Sequence, residues 1–121
     1  MKTVLIVEDC EDYAENLRFV LEQAGYGVAV ACDGHDGVDK AARLRPDLIL
    51  MDVLMPDQDG VKTTMQIHEQ EELRDIPVLF LTAVAAGTNM IMSVNGKDYP
   101  GISKMAHYKD IIGKIQQHMP A

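Results

Sequence analysis

Short apolar runs that end in polar side chains constrain the fold of this chain more than any other feature. Three runs occupy residues 3–7, 47–51 and 76–81, and a shorter one occupies residues 100–103. Their length and their branched side chains favour buried strands over helices. Pro56 and Gly60 interrupt the sequence after the second run, so the chain there reads as strand, loop and then helix.

Stretches with helical periodicity separate these strands. Apolar residues at three- and four-residue spacing predict helices around 14–24, 38–44 and 61–68, and a last helix around 108–119, whose apolar face carries Tyr108, Ile111, Ile112, Ile115 and Met119. A further short strand is predicted at 28–31. Five strands alternating with helices predict an α/β fold, a single doubly wound five-stranded parallel sheet of the flavodoxin-like (βα)5 type.

Polar side chains follow four of the predicted strands. Glu8 and Asp9 follow the first strand, Asp52 the third, Thr82 the fourth and Lys104 the last. The carboxyl ends of parallel strands meet at one edge of a sheet, so these groups are expected to converge there. Clustered carboxylates suit Mg²⁺, and a metal-bound phosphoryl group is the expected ligand of such a site. Taken alone, Asp52 would also fit an aspartate that only caps the next helix.

The segment 52–60, Asp-Val-Leu-Met-Pro-Asp-Gln-Asp-Gly, closely resembles the D-x-x-M-P-x-x-D-G motif of response regulator receiver domains. The resemblance extends from residue 2 to about residue 119, and residues 1–121 are expected to form one receiver domain. It implies an acidic pair at Glu8 and Asp9, a phosphoacceptor at Asp52, a switch hydroxyl at Thr82 and the family's lysine at Lys104.

The resemblance also implies a mechanism. A histidine kinase or phosphotransfer protein would donate a phosphoryl group to Asp52, the nucleophile, while Thr82 and Lys104 contact that group and Thr82 switches a surface for a downstream target or output domain. The protein would not be an enzyme acting on other substrates, but would take part in its own Mg²⁺-dependent phosphotransfer and dephosphorylation. The implied metal ligands are Glu8, Asp9, Asp52 and the backbone carbonyl of Leu54.

The nearly uncharged stretch 83–96 departs from the family pattern. A short fourth helix, capped by Thr88 or Asn89 and ending at Asn95-Gly96, is expected there. Such a helix is too short to bury all of its apolar side chains, so some are expected to reach solvent, with loose burial as the alternative.

Two further departures concern the switch. The family's aromatic residue is replaced by Gly101, and the proline that follows the family's lysine is replaced by Met105. A relay through a rotating aromatic side chain and a cis peptide after Lys104 are therefore both left open. Phosphoryl chemistry does not depend on the aromatic residue.

Charge and composition exclude several classes of protein. The net charge of −8 on 121 residues argues against direct binding of nucleic acid. The chain contains no apolar stretch long enough to span a bilayer and no signal sequence, which predicts a cytoplasmic protein. Cys10 and Cys32 lack metal-binding spacing and are expected to be free thiols.

Three alternative functions compete with the receiver hypothesis. A haloacid-dehalogenase-type enzyme needs a second aspartate two residues after Asp52, where this chain has Leu54. A flavodoxin-like electron carrier needs a phosphate-binding loop where Glu8 and Asp9 stand. A receiver fold that acts as a phosphorylation-independent interaction module remains as the alternative, because the stretch 84–101 is divergent.

The lifetime of a phosphorylated state follows from two apolar positions. Leu54 and Val84 occupy the places that border the approach of water in the family. Neither side chain can orient a water molecule, which predicts slow self-dephosphorylation. An ordinary lifetime is expected if both side chains only extend the core.

Overall fold

The computed structural model describes residues 1–83 and 90–121, in which strands and helices alternate. The strands are β1 (Thr3–Val7), β2 (Gly27–Ala31), β3 (Leu48–Asp52), β4 (Val78–Thr82), β5 (Met90–Val94) and β6 (Lys97–Ser103). The helices are α1 (Glu11–Gln23), α2 (Gly34–Leu44), α3 (Gly60–Glu69) and α4 (Tyr108–His118), and a short 3₁₀ helix spans Glu71–Leu73.

The strands form one sheet in the order β2-β1-β3-β4-β6-β5. All neighbours are parallel except β5 and β6, which are antiparallel. This confirms the predicted doubly wound α/β fold. The described residues contain six strands rather than five, because β5 adds an antiparallel strand at the outer edge.

The core has two layers, one on each face of the sheet. Successive residues of β1 alternate between them: Val4 and Ile6 join the layer beneath α1 and α4, whereas Leu5 and Val7 join the layer on the α2 and α3 side. Side chains of a strand alternate between faces, so a strand covered on both faces must be apolar throughout. This requirement explains the unbroken apolar runs in the sequence.

Helix ends follow local signals in the sequence. Gly25, with a φ of 97°, lies just beyond α1 in the left-handed conformation that glycine tolerates best. Asp59 caps α3, since its carboxylate accepts a hydrogen bond from the Lys62 N–H at 2.7 Å. The predicted first, second, third and last helices are confirmed.

The predicted fourth helix is wrong over residues 90–95, and its proposed caps, Thr88 and Asn89, lie outside the described residues. The chain forms a β-hairpin here, in which β5 and β6 are joined by Asn95 and Gly96. Both turn residues have positive φ, 56° and 82°, as a type I′ turn requires. The dipeptide that suggested a helix end is therefore a hairpin turn.

Burial along β5 has the two-residue period of a strand. Val94 is 4% exposed and packs on the α3 side, whereas Ile91 is 72% exposed. The expectation that some apolar side chains reach solvent is confirmed for Ile91. The last strand begins at Lys97, earlier than the predicted 100–103, because the hairpin extends it.

Two simpler features complete the fold. No cis peptide bond occurs in the described ranges, so the bond between Lys104 and Met105 is trans. Of the helices in those ranges, none is both long and apolar enough to cross a bilayer.

Candidate functional site

Three carboxylates meet at the carboxyl end of the sheet. Because β1 and β3 are parallel neighbours, with Val7 beside Met51, the residues that follow or end them lie side by side. Oxygen atoms of Glu8, Asp9 and Asp52 all lie within 4.8 Å of one another. Glu8 and Asp52 are only 1% and 3% exposed, while Asp9 is open to solvent.

Lys104 supplies the positive charge at this cluster. Its Nζ lies 2.5 Å from Glu8 Oε1 and 3.1 Å from Asp52 Oδ1. The backbone positions it, because the N–H of Lys104 donates to the Thr82 carbonyl at 2.7 Å and so extends the pairing of β6 with β4. The ammonium also lies 5.4 Å from the ring centre of Tyr13, a cation–π contact that no sequence pattern predicted.

Burial and neighbouring charges shift the protonation of these groups. Burial, with the negative charge of Glu8, raises the pKa of Asp52 to about 7 although Lys104 opposes the shift. Burial would lower the pKa of Lys104, but hydrogen bonds and attraction to Glu8 and Asp52 raise it overall. Burial would raise the pKa of Asp9, yet its contacts with Asp52 and Glu8 lower it. The cluster therefore favours an additional cation.

The donor set fits a hard cation. Asp52 Oδ2 is buried and accepts no hydrogen bond from the described residues, which leaves one carboxylate oxygen for another ligand. The Glu8 carboxylate is oriented by the Cys10 N–H, which donates to Oε2 at 3.0 Å. Carboxylate oxygens at this density suit a Mg²⁺ ion that keeps several of its waters.

Gly60 lets the loop after β3 close over Asp52. Its N–H donates to the Val53 carbonyl at 2.7 Å. A Cβ atom at this position would lie 2.2 Å from the Asp52 carbonyl oxygen and 2.9 Å from Met51 Cγ. No side chain fits there, so the glycine of the resembled motif has a steric role.

Asp57 ties the same loop to the start of α2. Its carboxylate accepts hydrogen bonds from the N–H groups of Gly34 at 3.0 Å and His35 at 2.9 Å. Burial opposes the shift, but these hydrogen bonds hold the pKa of Asp57 well below its usual range. Asp57 also groups with Asp33 and His35, and its bonds to backbone and to the His35 ring account for that grouping. No sequence pattern predicted this tether.

Thr82 connects the cluster to the hairpin. It ends β4, and its Oγ1 lies 3.8 Å from Sδ of Met90, the first residue of β5. Met90 pairs with Gly101, which in turn pairs with Phe80 of β4. Where the family has an aromatic side chain, this chain therefore has a glycine with a methionine beside it.

A second contact holds the hairpin to the rest of the molecule. His68 Nδ1 lies 3.0 Å from the Tyr99 hydroxyl, and Nε2 lies 3.0 Å from the Ile76 carbonyl. The carbonyl accepts from Nε2–H, so Nδ1 accepts the Tyr99 proton. Burial lowers the pKa of His68, which favours this neutral form. His68 is thus a half-buried residue with both ring nitrogens hydrogen-bonded.

Two predicted positions remain, Leu54 and Val84. The Leu54 side chain is 71% exposed beside the site. Val84 lies outside the described residues. The roles assigned to Leu54, Val84 and the five residues of the cluster stay predictions, although four of the five, Glu8, Asp9, Asp52 and Lys104, lie together.

Comparisons with known proteins agree on one family. A family model described as the response regulator receiver domain matches residues 4–116. The chain is 39% identical over 82 residues to the alkaline phosphatase synthesis transcriptional regulatory protein PhoP of Bacillus subtilis, covering 68% of this chain and 33% of that protein. It is 40% identical over 84 residues to the polar-differentiation response regulator DivK of Brucella anthropi, covering 69% and 68%.

Solved structures give the same fold. The chemotaxis protein CheY4 of Vibrio cholerae superimposes with a TM-score of 0.83 at 25% identity, covering 97% of this chain and 98% of that one. The signal receiver domain of a histidine kinase from Syntrophus aciditrophicus superimposes with a TM-score of 0.80 at 30% identity, covering 97% and 89%. Among the curated relatives, the chain spans only a third of the length of the Bacillus protein.

Proposed function

The chain belongs to the response regulator receiver domain family, and we propose that it accepts a phosphoryl group on Asp52 from a histidine kinase or phosphotransfer protein. The observation that carries this proposal is the contact of one ammonium, Lys104 Nζ, with two buried carboxylates at 2.5 and 3.1 Å. Residues 1–121 then act as one receiver domain in the cytoplasm.

In the proposed reaction an Asp52 oxygen attacks the phosphorus of phosphohistidine. The new P–O bond gives an acyl phosphate, and the histidine nitrogen keeps the electron pair of the broken P–N bond. Lys104 favours the ionised form of Asp52 before transfer, against the effect of burial, and pairs with a phosphoryl oxygen afterwards. Thr82 turns its hydroxyl toward another phosphoryl oxygen, which alters its contact with Met90 and so the hairpin surface.

The acidic cluster would hold Mg²⁺ during this reaction. When bound, the ion neutralises negative charge on the carboxylates and on the transferring phosphoryl group. Asp9 is the exposed carboxylate of the cluster and is accessible to an ion from solvent. The Glu8 carboxylate is held in place by the Cys10 N–H and the Lys104 ammonium. The proposed ligands are Glu8, Asp9, Asp52 and the backbone carbonyl of Leu54.

Intact-mass measurement tests the proposal directly. Wild-type protein incubated with Mg²⁺ and acetyl phosphate should gain one phosphoryl group, and Asp52→Asn should gain none. Asp57→Asn is the matched control, because it removes a carboxylate from the same loop but outside the cluster, and it should still be labelled. An unchanged wild-type mass, while another receiver is labelled in parallel, would contradict the proposal.

A phosphorylation-independent interaction module is the second candidate, and the β5–β6 hairpin favours it. The hairpin surface exists without phosphate, with Ile91 72% exposed. This candidate predicts that a target protein binds wild type and Asp52→Asn equally, with or without acetyl phosphate. The receiver proposal predicts that only the phosphorylatable protein changes its affinity.

A further inference from the structure

Strand β5 has a free edge within the described part of the chain. It is the outermost strand of the sheet and pairs there with β6 alone. Val94 and Lys97 flank a two-residue turn and so form a hydrogen-bonded pair. By alternation Met92 and Met90 also bond to β6, and the backbone groups of Ile91 and Ser93 point away from it.

This edge lacks the features that usually prevent strands from pairing. Residues Met90–Val94 include no charged residue and no proline. Ile91, at the position whose backbone faces outward, is 72% exposed. Natural edge strands are commonly blocked by lysine, proline or a bulge, so an uncharged edge of five residues is suited to receive another strand.

We propose that β5 pairs antiparallel with β5 of a second copy of this chain, about a two-fold axis at Met92. In this register Ile91 lies opposite Ser93 of the partner subunit, and each such pair exchanges two backbone hydrogen bonds. The pairing thus satisfies all four outward-facing backbone groups of each strand. It joins the two sheets into one continuous sheet.

The side chains of β5 favour a second copy as the occupant. On the α3 side, the two-fold axis places Met92 against Met92 of the partner subunit and Met90 against Val94 of the partner subunit, so apolar groups meet apolar groups. On the α4 side, Ile91 lies opposite Ser93 of the partner subunit. No like charges oppose each other in this ladder, although each chain carries a net charge of −8. A charged peptide would find no complementary charge on β5.

The pairing is expected to be weak and concentration-dependent, since one five-residue strand is a small interface. The unphosphorylated protein already presents this edge, so the pairing is tested without acetyl phosphate. Sedimentation equilibrium up to about 1 mM protein should show a monomer–dimer equilibrium with a Kd in the micromolar range. A wild type that stays monomeric at every concentration would overturn the proposal.

Amide exchange gives a residue-level test of the same pairing. Raising the concentration should slow exchange at Ile91 and Ser93, while Met92 and Val94, whose N–H groups bond within the hairpin, should exchange at the same slow rate throughout. Uniform slowing along β5, or slowing elsewhere in the chain only, would place any dimer contact outside this edge and overturn the proposal.

Charge substitutions separate this edge from other apolar surface. Ile91→Lys should raise the dimer Kd by about tenfold or more, since it places an unpaired charge in the ladder at two sites per dimer. Leu44→Lys, which changes an exposed leucine at the end of α2, is the control and should leave the Kd unchanged.

A double variant tests the register. Ile91→Glu combined with Ser93→Lys places opposite charges across the two-fold axis and should dimerise more tightly than Ile91→Lys or Ser93→Lys alone. Circular dichroism of each variant verifies that the hairpin is folded. A double variant no tighter than the single ones would contradict the proposed register.

Discussion

The acidic pocket and the β5–β6 hairpin are built in opposite ways. The pocket buries charge: Glu8 and Asp52 are nearly inaccessible and depend on Lys104 for their counter-charge. The hairpin exposes apolar surface, and its shape depends on two turn residues with positive φ, Asn95 and Gly96. Substitutions in the pocket should therefore change the rate of Asp52 phosphorylation. Substitutions in the hairpin should change the exposed surface of β5 and the free energy of unfolding.

Removal of Lys104 should give the largest effect. Lys104→Gln leaves two buried carboxylates without their counter-charge, and phosphorylation of Asp52 by acetyl phosphate should slow by about 100-fold or more. Lys97→Gln, at the start of β6, removes a lysine from the hairpin and should leave the rate within about twofold. The rates are read by intact mass over time. Equal slowing in both variants would show that general charge, not the pocket contact, sets the rate.

Gly60→Ala should have the next largest effect. The added Cβ meets the Asp52 carbonyl oxygen at 2.2 Å, so the loop must move. A loss of about 2 kcal/mol in the free energy of unfolding is expected, together with slower phosphorylation. Gly113→Ala is the control: its Cβ meets nothing within 4 Å in α4, and it should stabilise by about 0.5–1 kcal/mol. Urea denaturation measures both, and matching losses would exclude a local clash.

Gly96→Ala should destabilise the hairpin more mildly. A φ of 82° disfavours a side chain, at a cost of about 1 kcal/mol. Phosphorylation of Asp52 should be unchanged. Asn95→Gly, at the neighbouring turn position, should keep the turn and the stability. A fall in the phosphorylation rate of Gly96→Ala would show that the hairpin shapes the pocket and that the two regions are not separable.

Asp57→Asn should have the smallest effect, a change in how the free energy of unfolding falls at acid pH. Hydrogen bonds hold the pKa of Asp57 below its value in the unfolded chain, so the unfolded state takes up the proton first. The contribution of Asp57 is therefore complete above about pH 5 and is lost as pH falls further. Asp57→Asn should lose less stability between pH 5 and pH 3 than wild type, as measured by urea denaturation at each pH. Parallel curves would remove Asp57 from the acid response.

The pocket was more predictable than the hairpin for a physical reason. Glu8 and Asp9 follow β1, Asp52 ends β3 and Lys104 follows β6, and parallel strands bring their ends together whatever lies between them. The hairpin depended on the interpretation of Asn95-Gly96. Gly25, just beyond the end of α1, and Gly96, in the hairpin turn, both have positive φ. A glycine in the sequence therefore marks a helix end and a hairpin turn equally well. Only the pairing of β5 with residues 97–101 distinguishes the two cases.

Two contributors to the site had no signal in the sequence. Tyr13 lies within α1, 91 positions from Lys104 in the sequence, yet its ring contacts the Lys104 ammonium. Asp57 bonds to residues 22 and 23 positions away, beyond the reach of any local pattern. Contacts of this kind arise from how helices pack on the sheet, which periodicity alone does not specify.

Strand β6 has a mechanical consequence. It runs without interruption from Lys97 at the turn to Ser103, one residue before Lys104, over a length of about 20 Å. It pairs with β5 over residues 97–101 and with β4 over residues 101–103, so Gly101 is the residue at which the two pairings overlap. Because every residue of this extended strand is paired on at least one side, the strand resists shortening. A displacement of the Lys104 backbone along the strand is therefore transmitted to the turn at Asn95 and Gly96. This connection between the pocket and the hairpin needs no rotating aromatic side chain.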